Sequence, residues 1–278
     1  MRFTKMHGTG NDFVVVSLFE QPVRQPEVMA RELCRRHFGV GSDGLILVQP
    51  AEDADLAMRI FNADGSEAEM CGNGIRCVAK YAYDHGLCRK KVLTIETGAG
   101  LRTVRLTLSD GLATGATVNM GAPRLRRRDI PMAGPDDPQV VDEDLPLEGT
   151  TLRVTCVSMG NPHCVVPVSS IRDTPWQDLG PRIERHPAFP QRTNVHFVER
   201  VGRGELKAVT WERGSGATLA CGTGACAVCV AMHLLGAAER AVRVHLPGGE
   251  LAVEWSSGDN CVHMTGPAVE VFSGEWPG

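Results

Sequence analysis

One four-residue word occurs twice in this 278-residue chain, as Cys71-Gly72-Asn73-Gly74 and again, 150 positions later, as Cys221-Gly222-Thr223-Gly224. The same gap-free offset lays Gly10-Asn11 on Gly160-Asn161 and Val15-Val16 on Val165-Val166. Phe61 falls on Trp211, Val48 on Val198, and the i, i+4 pair Met29 and Leu33 on Leu179 and Ile183. Both copies close alike, with Val118-Asn-Met-Gly-Ala-Pro123 and Val262-His-Met-Thr-Gly-Pro267. A single offset that spans a strand, a helix, a second strand and a Cys-Gly turn marks a duplicated domain. Its period is far too long for a solenoid. The chain is therefore expected to form two equivalent lobes related by a pseudo-two-fold axis.

Within a copy the elements are short strands and one long helix. Phe13 to Leu18, Leu45 to Val48, Ala57 to Phe61, Val92 to Glu96, Arg102 to Leu108 and Ala116 to Met120 read as strands. They are rich in β-branched residues and separated by Gly, Asp and Asn. Behind Cys71, the residues Ile75, Val78, Ala79 and Ala82 recur at helical spacing until Gly86. Behind Cys221, the equivalent set is Ala225, Val228, Cys229, Met232 and Leu235, ending near Gly236. Small residues all round the second helix imply close approach on several sides. The predicted class is α/β (α+β), each lobe a mixed, mostly antiparallel β-sheet or barrel wrapped around a central helix. A linker rich in Pro, Asp and Arg is expected from Pro123 to about Glu148.

Charge narrows the partners. With 29 Lys and Arg against 33 Asp and Glu, the formal net charge is −4, which argues against a general nucleic-acid or anionic-membrane binder. The one basic cluster, Arg124 to Arg128, is followed by Asp136, Asp137 and the acidic Asp142 to Asp144, and reads as a solvated loop. The opening residues do not form a secretory signal. Residues 214 to 238 lack Asp, Glu, Lys and Arg, yet hold five glycines and few large aliphatics, so an enclosed helix fits better than a membrane span. Ten cysteines without an export signal are expected as thiols in a reducing cytoplasm.

The glycines of each Cys-Gly-x-Gly word place the cysteine at or just before a helix N-terminus, where the first amides have no intrahelical acceptor. The helix dipole there favours a thiolate and would lower the thiol pKa from about 8.5. The same amides suit a carboxylate. The repeat predicts two such ends, with two thiols, facing one another across a cleft. Two acid/base groups on opposite faces of one carbon are what stereoinversion at an acidic C–H requires, and helix-end amides can hold the developing negative charge without a cofactor. A lone cysteine before a helix is more often a small buried residue than a catalyst; the mirrored pair is what carries the catalytic reading. Metal binding is the competing use, through Cys226-x-x-Cys229, with Cys71 and Cys77 as the other half. Cys226 and Cys229 lie inside the helical pattern, however, and no metal site is expected. A non-catalytic amino-acid binding protein is a third reading.

The words themselves point to a family. Asn62-Ala-Asp-Gly-Ser-Glu-Ala-Glu-Met-Cys71-Gly-Asn-Gly-Ile-Arg76 resembles the signature of the diaminopimelate epimerases. Lys5-Met-His-Gly-Thr-Gly-Asn-Asp-Phe13, Ser158-Met-Gly-Asn-Pro-His163, Glu212-Arg213-Gly, Ala220-Cys-Gly-Thr-Gly-Ala-Cys226 and Leu246-Pro-Gly-Gly-Glu250 are similar too, nearly end to end. The resemblance implies interconversion of LL- and meso-2,6-diaminopimelate, a small-molecule substrate, without pyridoxal phosphate or another cofactor, in lysine and peptidoglycan precursor synthesis. It implies Cys71 and Cys221 as the acid/base pair. The amides of Gly72, Asn73, Gly222 and Thr223 would meet the reacting carboxylate. Asn11, Asn62, Asn161, Asn194 and Arg213 would hold the distal end of the substrate, Glu212 would meet the reacting ammonium, and His163 with Glu212 would tune the thiols. Gly44 stands where many members carry a substrate-contacting glutamine, which leaves a backbone contact there. Ala217 replaces a more usual glutamate. The resemblance also implies a homodimer in the cytoplasm, and lobes of residues 1–122 plus 267–278 and residues 123–266.

Overall fold

In a computed structural model that describes residues 1–135 and 139–277, the chain divides into two compact units, Met1–Asn119 with Thr265–Gly278 and Met120–Met264. These borders fall a few residues before those expected from the sequence.

The first unit runs β1 (Arg2–Gly8), β2 (Asn11–Ser17), α1 (Pro26–Leu33), β3 (Gly44–Gln49), β4 (Leu56–Asn62), β5 (Glu67–Ala68), α2 (Gly72–Asp84), β6 (Val92–Thr97), β7 (Gly100–Ser109) and β8 (Leu112–Asn119). β2 pairs with β3, and β4 with β6, in parallel; β1/β2, β3/β4, β4/β5, β6/β7 and β7/β8 are antiparallel. The second unit runs β9 (Val140–Leu147), β10 (Thr150–Ser158), β11 (Pro162–Val168), α3 (Trp176–Glu184), β12 (Asn194–Gly202), β13 (Glu205–Glu212), β14 (Gly216–Thr218), α4 (Gly222–Leu234), β15 (Ala241–Leu246) and β16 (Gly249–Trp255). Through β17 (Val262–Pro267) the chain returns to the first unit, where β18 (Val269–Glu275) lies antiparallel to β1. The fold is mixed α/β, mostly sheet, with four α-helices among the described residues.

The repeat survives into the register. Phe13 lies opposite Gly44 and Gly44 opposite Asn62; at the same offset His163 lies opposite Asn194. Ile60 pairs with Ala68 as Thr210 pairs with Thr218. The two 13-residue helices, α2 and α4, begin and end at equivalent positions.

Each long helix is enclosed by its own unit's strands. α2 packs on β1, β2, β3, β4, β7, β8 and β18, and α4 on β10, β11, β12, β13, β15 and β16. Every residue of α2 from Gly72 to Ala82 is buried, Arg76 and Lys80 included. The other sheet face is covered by the short helix: in the first unit Ala30 and Leu33 of α1 sit on Val14, Val16, Leu45 and Leu47, and in the second Leu179 and Ile183 of α3 sit on Val166, Val195 and Phe197. Strands covered on both faces read as continuous apolar runs, which is why Phe13-Val-Val-Val16 and Leu45-Ile-Leu-Val48 do not alternate. No helix is long and apolar enough to cross a membrane among the described residues, and the charge-free stretch around α4 is explained by its enclosure.

Two expectations change. The segment 123–148 is not a linker throughout, since it contains a 3-10 turn at Arg127–Asp129 and the whole of β9. Val140 and Leu145 of β9 enter the core, while Asp142 and Asp144 pair outward with Arg153 at 2.7 and 2.9 Å. The density of charge hid a strand. Arg127 of the basic cluster is buried rather than solvated, and its guanidinium pairs with Glu143. Asp136 and Asp137 lie outside the described residues.

The second glycine of each repeated word, Gly74 or Gly224, lets the helix approach its sheet. A Cβ at Gly224 would lie 2.3 Å from His196 Cε1, against 2.9 Å from Ile46 Cδ1 at Gly74. The Ile46 methyl can rotate away, whereas the His196 ring is held by hydrogen bonds at both nitrogens. Gly224→Ala is therefore expected to destabilise the protein by about 1–3 kcal/mol, and Gly74→Ala by less, in urea denaturation. Equal losses in both variants would contradict this account of the packing.

Candidate active site

Cys71 and Cys221 are the N-cap residues of α2 and α4. Both have extended backbone, at φ −138°, ψ 119° and φ −118°, ψ 108°. Their carbonyls accept the first intrahelical bonds, from Ile75 N and Ala225 N, each at 2.9 Å. Neither thiol makes a side-chain cap hydrogen bond of ordinary geometry, and the sulfur atoms sit beside the amide-rich end of a helix.

In the first unit the Cys71 thiol donates to Asn11 Oδ1 at 3.6 Å, and Asn73 Nδ2 donates to the same oxygen at 3.2 Å. Asn11 Nδ2 in turn donates to Asp43 Oδ2 at 2.8 Å. That carboxylate fixes which end of the Asn11 amide faces the thiol. Arg36 bridges Asp12 and Asp43 at 3.0 Å each, and Lys5 pairs with Asp12 at 2.6 Å. Arg76, fully buried, donates to Asn73 Oδ1, Thr9 Oγ1 and the Gly72 carbonyl, each at 3.0 Å. Asn62 is exposed and donates to Ser66 Oγ at 2.9 Å. Gly44 lies directly across from it, and a Cβ there would come within 2.8 Å of the Phe61 carbonyl, so this position offers main chain only.

In the second unit Cys221 is buried, and its sulfur lies 3.6 Å from Thr223 Oγ1. Burial pushes the Cys221 thiol well above its ordinary range, and the Glu212 carboxylate pushes the same way. The Thr223 hydroxyl and the Gly224 amide pull against them and lose. The expectation that this pKa is lowered is not met at Cys221: burial and Glu212 outweigh the Thr223 hydroxyl and the Gly224 amide. Asn161 Nδ2 donates to Thr223 Oγ1 at 3.5 Å, and its Oδ1 lies 2.8 Å from His163 Nε2. His163 Nδ1 lies 2.9 Å from His196 Nε2, and His196 Nδ1 lies 2.9 Å from Thr210 Oγ1. Both rings are buried, and desolvation holds both imidazoles neutral, with His196 pushed down to about 3. The amide of Asn194 is spent on the backbone, donating to the Pro162 carbonyl at 3.0 Å and accepting from Arg213 N at 2.9 Å. The exposed Arg213 donates from Nη1 to the Gln191 carbonyl at 3.1 Å.

The structure thus gathers Cys71, Gly72, Asn73 and Asn11 in one unit, and Cys221, Gly222, Thr223, Glu212, Asn161 and His163 in the other. Asn194 and Arg213 meet each other, as do Gly44 and Asn62 across β3 and β4. Asp43, Arg76, His196 and Thr210 escaped the sequence reading. For two of them a signal was present: the offset that aligns the copies sets His196 on Ile46 and Thr210 on Ile60, polar residues where the first copy is apolar. Among the described residues no three or more His, Cys, Asp or Glu side chains are grouped to hold a metal ion. All ten cysteines are free thiols, and Cys77 and Cys229, pushed up to about 12 by burial, are inert core residues.

The sequence profile of the family described as diaminopimelate epimerase matches residues 3–126 and 155–271. A diaminopimelate epimerase from Moorella thermoacetica is 55% identical over 278 residues, covering 100% of this chain and 99% of its own. One from Methanococcus maripaludis is 46% identical over 275 residues, covering 99% of both chains. Among solved structures, a probable proline racemase from Agrobacterium radiobacter superposes with a TM-score of 0.72 at 19% identity, covering 99% of this chain and 92% of that one. A phenazine biosynthesis protein of the PhzF family from Bacillus anthracis gives 0.72 at 18% identity, covering 100% and 99%. At such identities these two structures speak for the fold alone.

The two buried imidazoles make stability depend on pH. Unfolded histidine takes up a proton near pH 6.5, whereas the folded protein keeps His163 and His196 neutral to much lower pH. Between those limits the unfolded state binds more protons, so stability is complete above about pH 6.5 and falls as the solution is acidified. A loss on the order of 2 kcal/mol per imidazole is expected by pH 5 in urea titrations. His196→Gln should flatten that slope, and an unchanged slope in this variant would refute the assignment.

Proposed function

The chain belongs to the diaminopimelate epimerase family and is an isomerase, and from that premise we propose that it interconverts LL- and meso-2,6-diaminopimelate by proton transfer between Cys71 and Cys221. The observation that carries this reading is that these two thiols are the N-caps of the two register-equivalent, enclosed helices.

In one direction the Cys71 thiolate takes the Cα proton, and the C–H electron pair is delocalised into the carboxylate. Cys221 delivers its proton to the opposite face of the same carbon and is left as a thiolate. The configuration inverts, nothing is oxidised or reduced, and the reverse reaction exchanges the roles. Charge developing on the carboxylate is met by the amides of Gly72 and Asn73 and of Gly222 and Thr223; one such donor is typically worth about 10²–10³ in rate. Glu212 pairs with the reacting ammonium. That pairing removes the carboxylate's repulsion from Cys221 and brings its thiolate within reach once substrate is bound. Asn11, Asn62, Asn161 and Arg213 receive the distal amino-acid end, Asn194 acts by fixing the Arg213 backbone, and Gly44 offers main chain only. His163 acts on Cys221 through Asn161 and Thr223. A cytoplasmic location in lysine and peptidoglycan precursor synthesis, and a homodimer, belong to the same reading.

Incubation with diaminopimelate in deuterium oxide should place solvent deuterium at one Cα. Cys71→Ala and Cys221→Ala should each lower that exchange by at least about 10²–10⁴-fold. Heat of binding without exchange in the intact protein would instead indicate an amino-acid binding protein. Stoichiometric zinc, with loss of fold on chelation, would indicate a metalloprotein.

A further inference from the structure

The second unit carries an unbroken line of hydrogen bonds that ends on the Cys221 sulfur, running Thr210, His196, His163, Asn161, Thr223, Cys221. The fold does not require it. At the equivalent places in the first unit stand Ile60, Ile46 and Phe13, all buried and apolar, within the same register and beneath the same helix. The contact under the second glycine of the word is the Ile46 methyl in one unit and the His196 ring in the other. Burying two imidazoles and a hydroxyl where aliphatic groups suffice is unfavourable unless each polar atom is paired, and here each ring nitrogen is.

We propose that His196 and Thr210 are positioning residues for Cys221, fixing the proton on His163 and, through Asn161 and Thr223, aiming a hydroxyl hydrogen at the Cys221 sulfur. The proposal rests on the reading of Cys221 as an acid/base group. The direction of the line follows from its fixed members. Asn161 Nδ2 donates to Thr223, so its Oδ1 accepts, and His163 Nε2 must carry the hydrogen. His163 is neutral, so its Nδ1 accepts and His196 Nε2 carries the next hydrogen. His196 is neutral as well, so its Nδ1 accepts from the Thr210 hydroxyl. Thr223, already accepting from Asn161, has its own hydrogen left for sulfur. Every donor therefore points towards Cys221.

That arrangement offsets part of the cost of forming a thiolate at a buried sulfur. The other groups facing Cys221 are the Glu212 carboxylate from β13 and the Gly224 amide from α4, and the charge acting on His163 is the Arg213 guanidinium. The first unit does the opposite. There Asp43 holds the Asn11 nitrogen, so the amide oxygen faces Cys71 and accepts from its S–H. The repeat-equivalent asparagines thus present an acceptor in one unit and, by way of Thr223, a donor in the other.

The test uses the full chain with ¹⁵N-histidine, read by long-range NMR couplings that report which ring nitrogen bears hydrogen. In the native sequence His163 and His196 should both be protonated at Nε2 and bare at Nδ1. Thr210→Val, which keeps the side-chain shape but has no hydroxyl, should give mixed tautomers at both rings. It should also move the pH midpoint of Cys221 alkylation by iodoacetamide, followed on its peptide by mass spectrometry, to higher pH. For solvent exchange into diaminopimelate, kcat should fall about tenfold, the worth of one hydrogen bond, with KM little changed. Thr210→Ser should restore all three readings. A native His163 bearing hydrogen on Nδ1 overturns the proposal and leaves the two-thiol reading in place, as does Thr210→Val with a native midpoint and kcat. Full exchange in Cys221→Ala removes the two-thiol reading itself, and with it the purpose of the line.

Discussion

A thiol at the N-cap of a helix that is walled in on every side is the constraint on which each unit is built. Enclosure by strands leaves the helix only its ends through which to meet anything else. At the N-terminal end the backbone offers amide hydrogens without carbonyl partners, an arrangement that favours negative charge. Sulfur placed there is pulled two ways. The amides favour its anion, and the dry surroundings oppose it. For Cys221 burial wins in the free protein, and Glu212 adds to the effect, both pushing its pKa up.

The duplication supplies two copies of this frame and the side chains make them unequal. Asn62 in the first unit stands where Glu212 stands in the second, and Arg76 where Cys226 does. Fully buried, Arg76 spends its guanidinium on Asn73, Thr9 and the Gly72 carbonyl, which locks the first turn of α2. In the second unit the corresponding stiffness comes from neutral groups, the paired imidazoles beneath Gly224. One unit is ordered by ions near Asn11 and the other by uncharged donors and acceptors. Because the shared backbone register is the same in both, these differences are chemical rather than architectural.

Architecture is also what this chain has in common with proteins of other kinds. The racemase and phenazine-biosynthesis structures superpose over nearly its full length at under a fifth identity, while relatives near half identity bear the epimerase name. A shared fold of this kind does not by itself carry a shared chemistry.

Much of the frame was legible before any coordinates. The offset between Cys71 and Cys221 marked the duplication, the periodicity behind each cysteine marked the helices, and apolar runs such as Leu45-Ile-Leu-Val48 marked strands, because repeats and local periodicity are written in the order of residues. β9 escaped because its solvent side is so acidic that charge concealed the two residues facing inwards. What only the tertiary structure decided is of another kind. That burial raises the Cys221 pKa, that Asn194 serves the backbone, that Asp43 orients Asn11, and that two strand residues, His196 and Thr210, lie in line with a thiol all depend on distances between segments far apart in sequence. Desolvation and hydrogen-bond direction act over a few ångströms in space, and a linear order of residues carries neither.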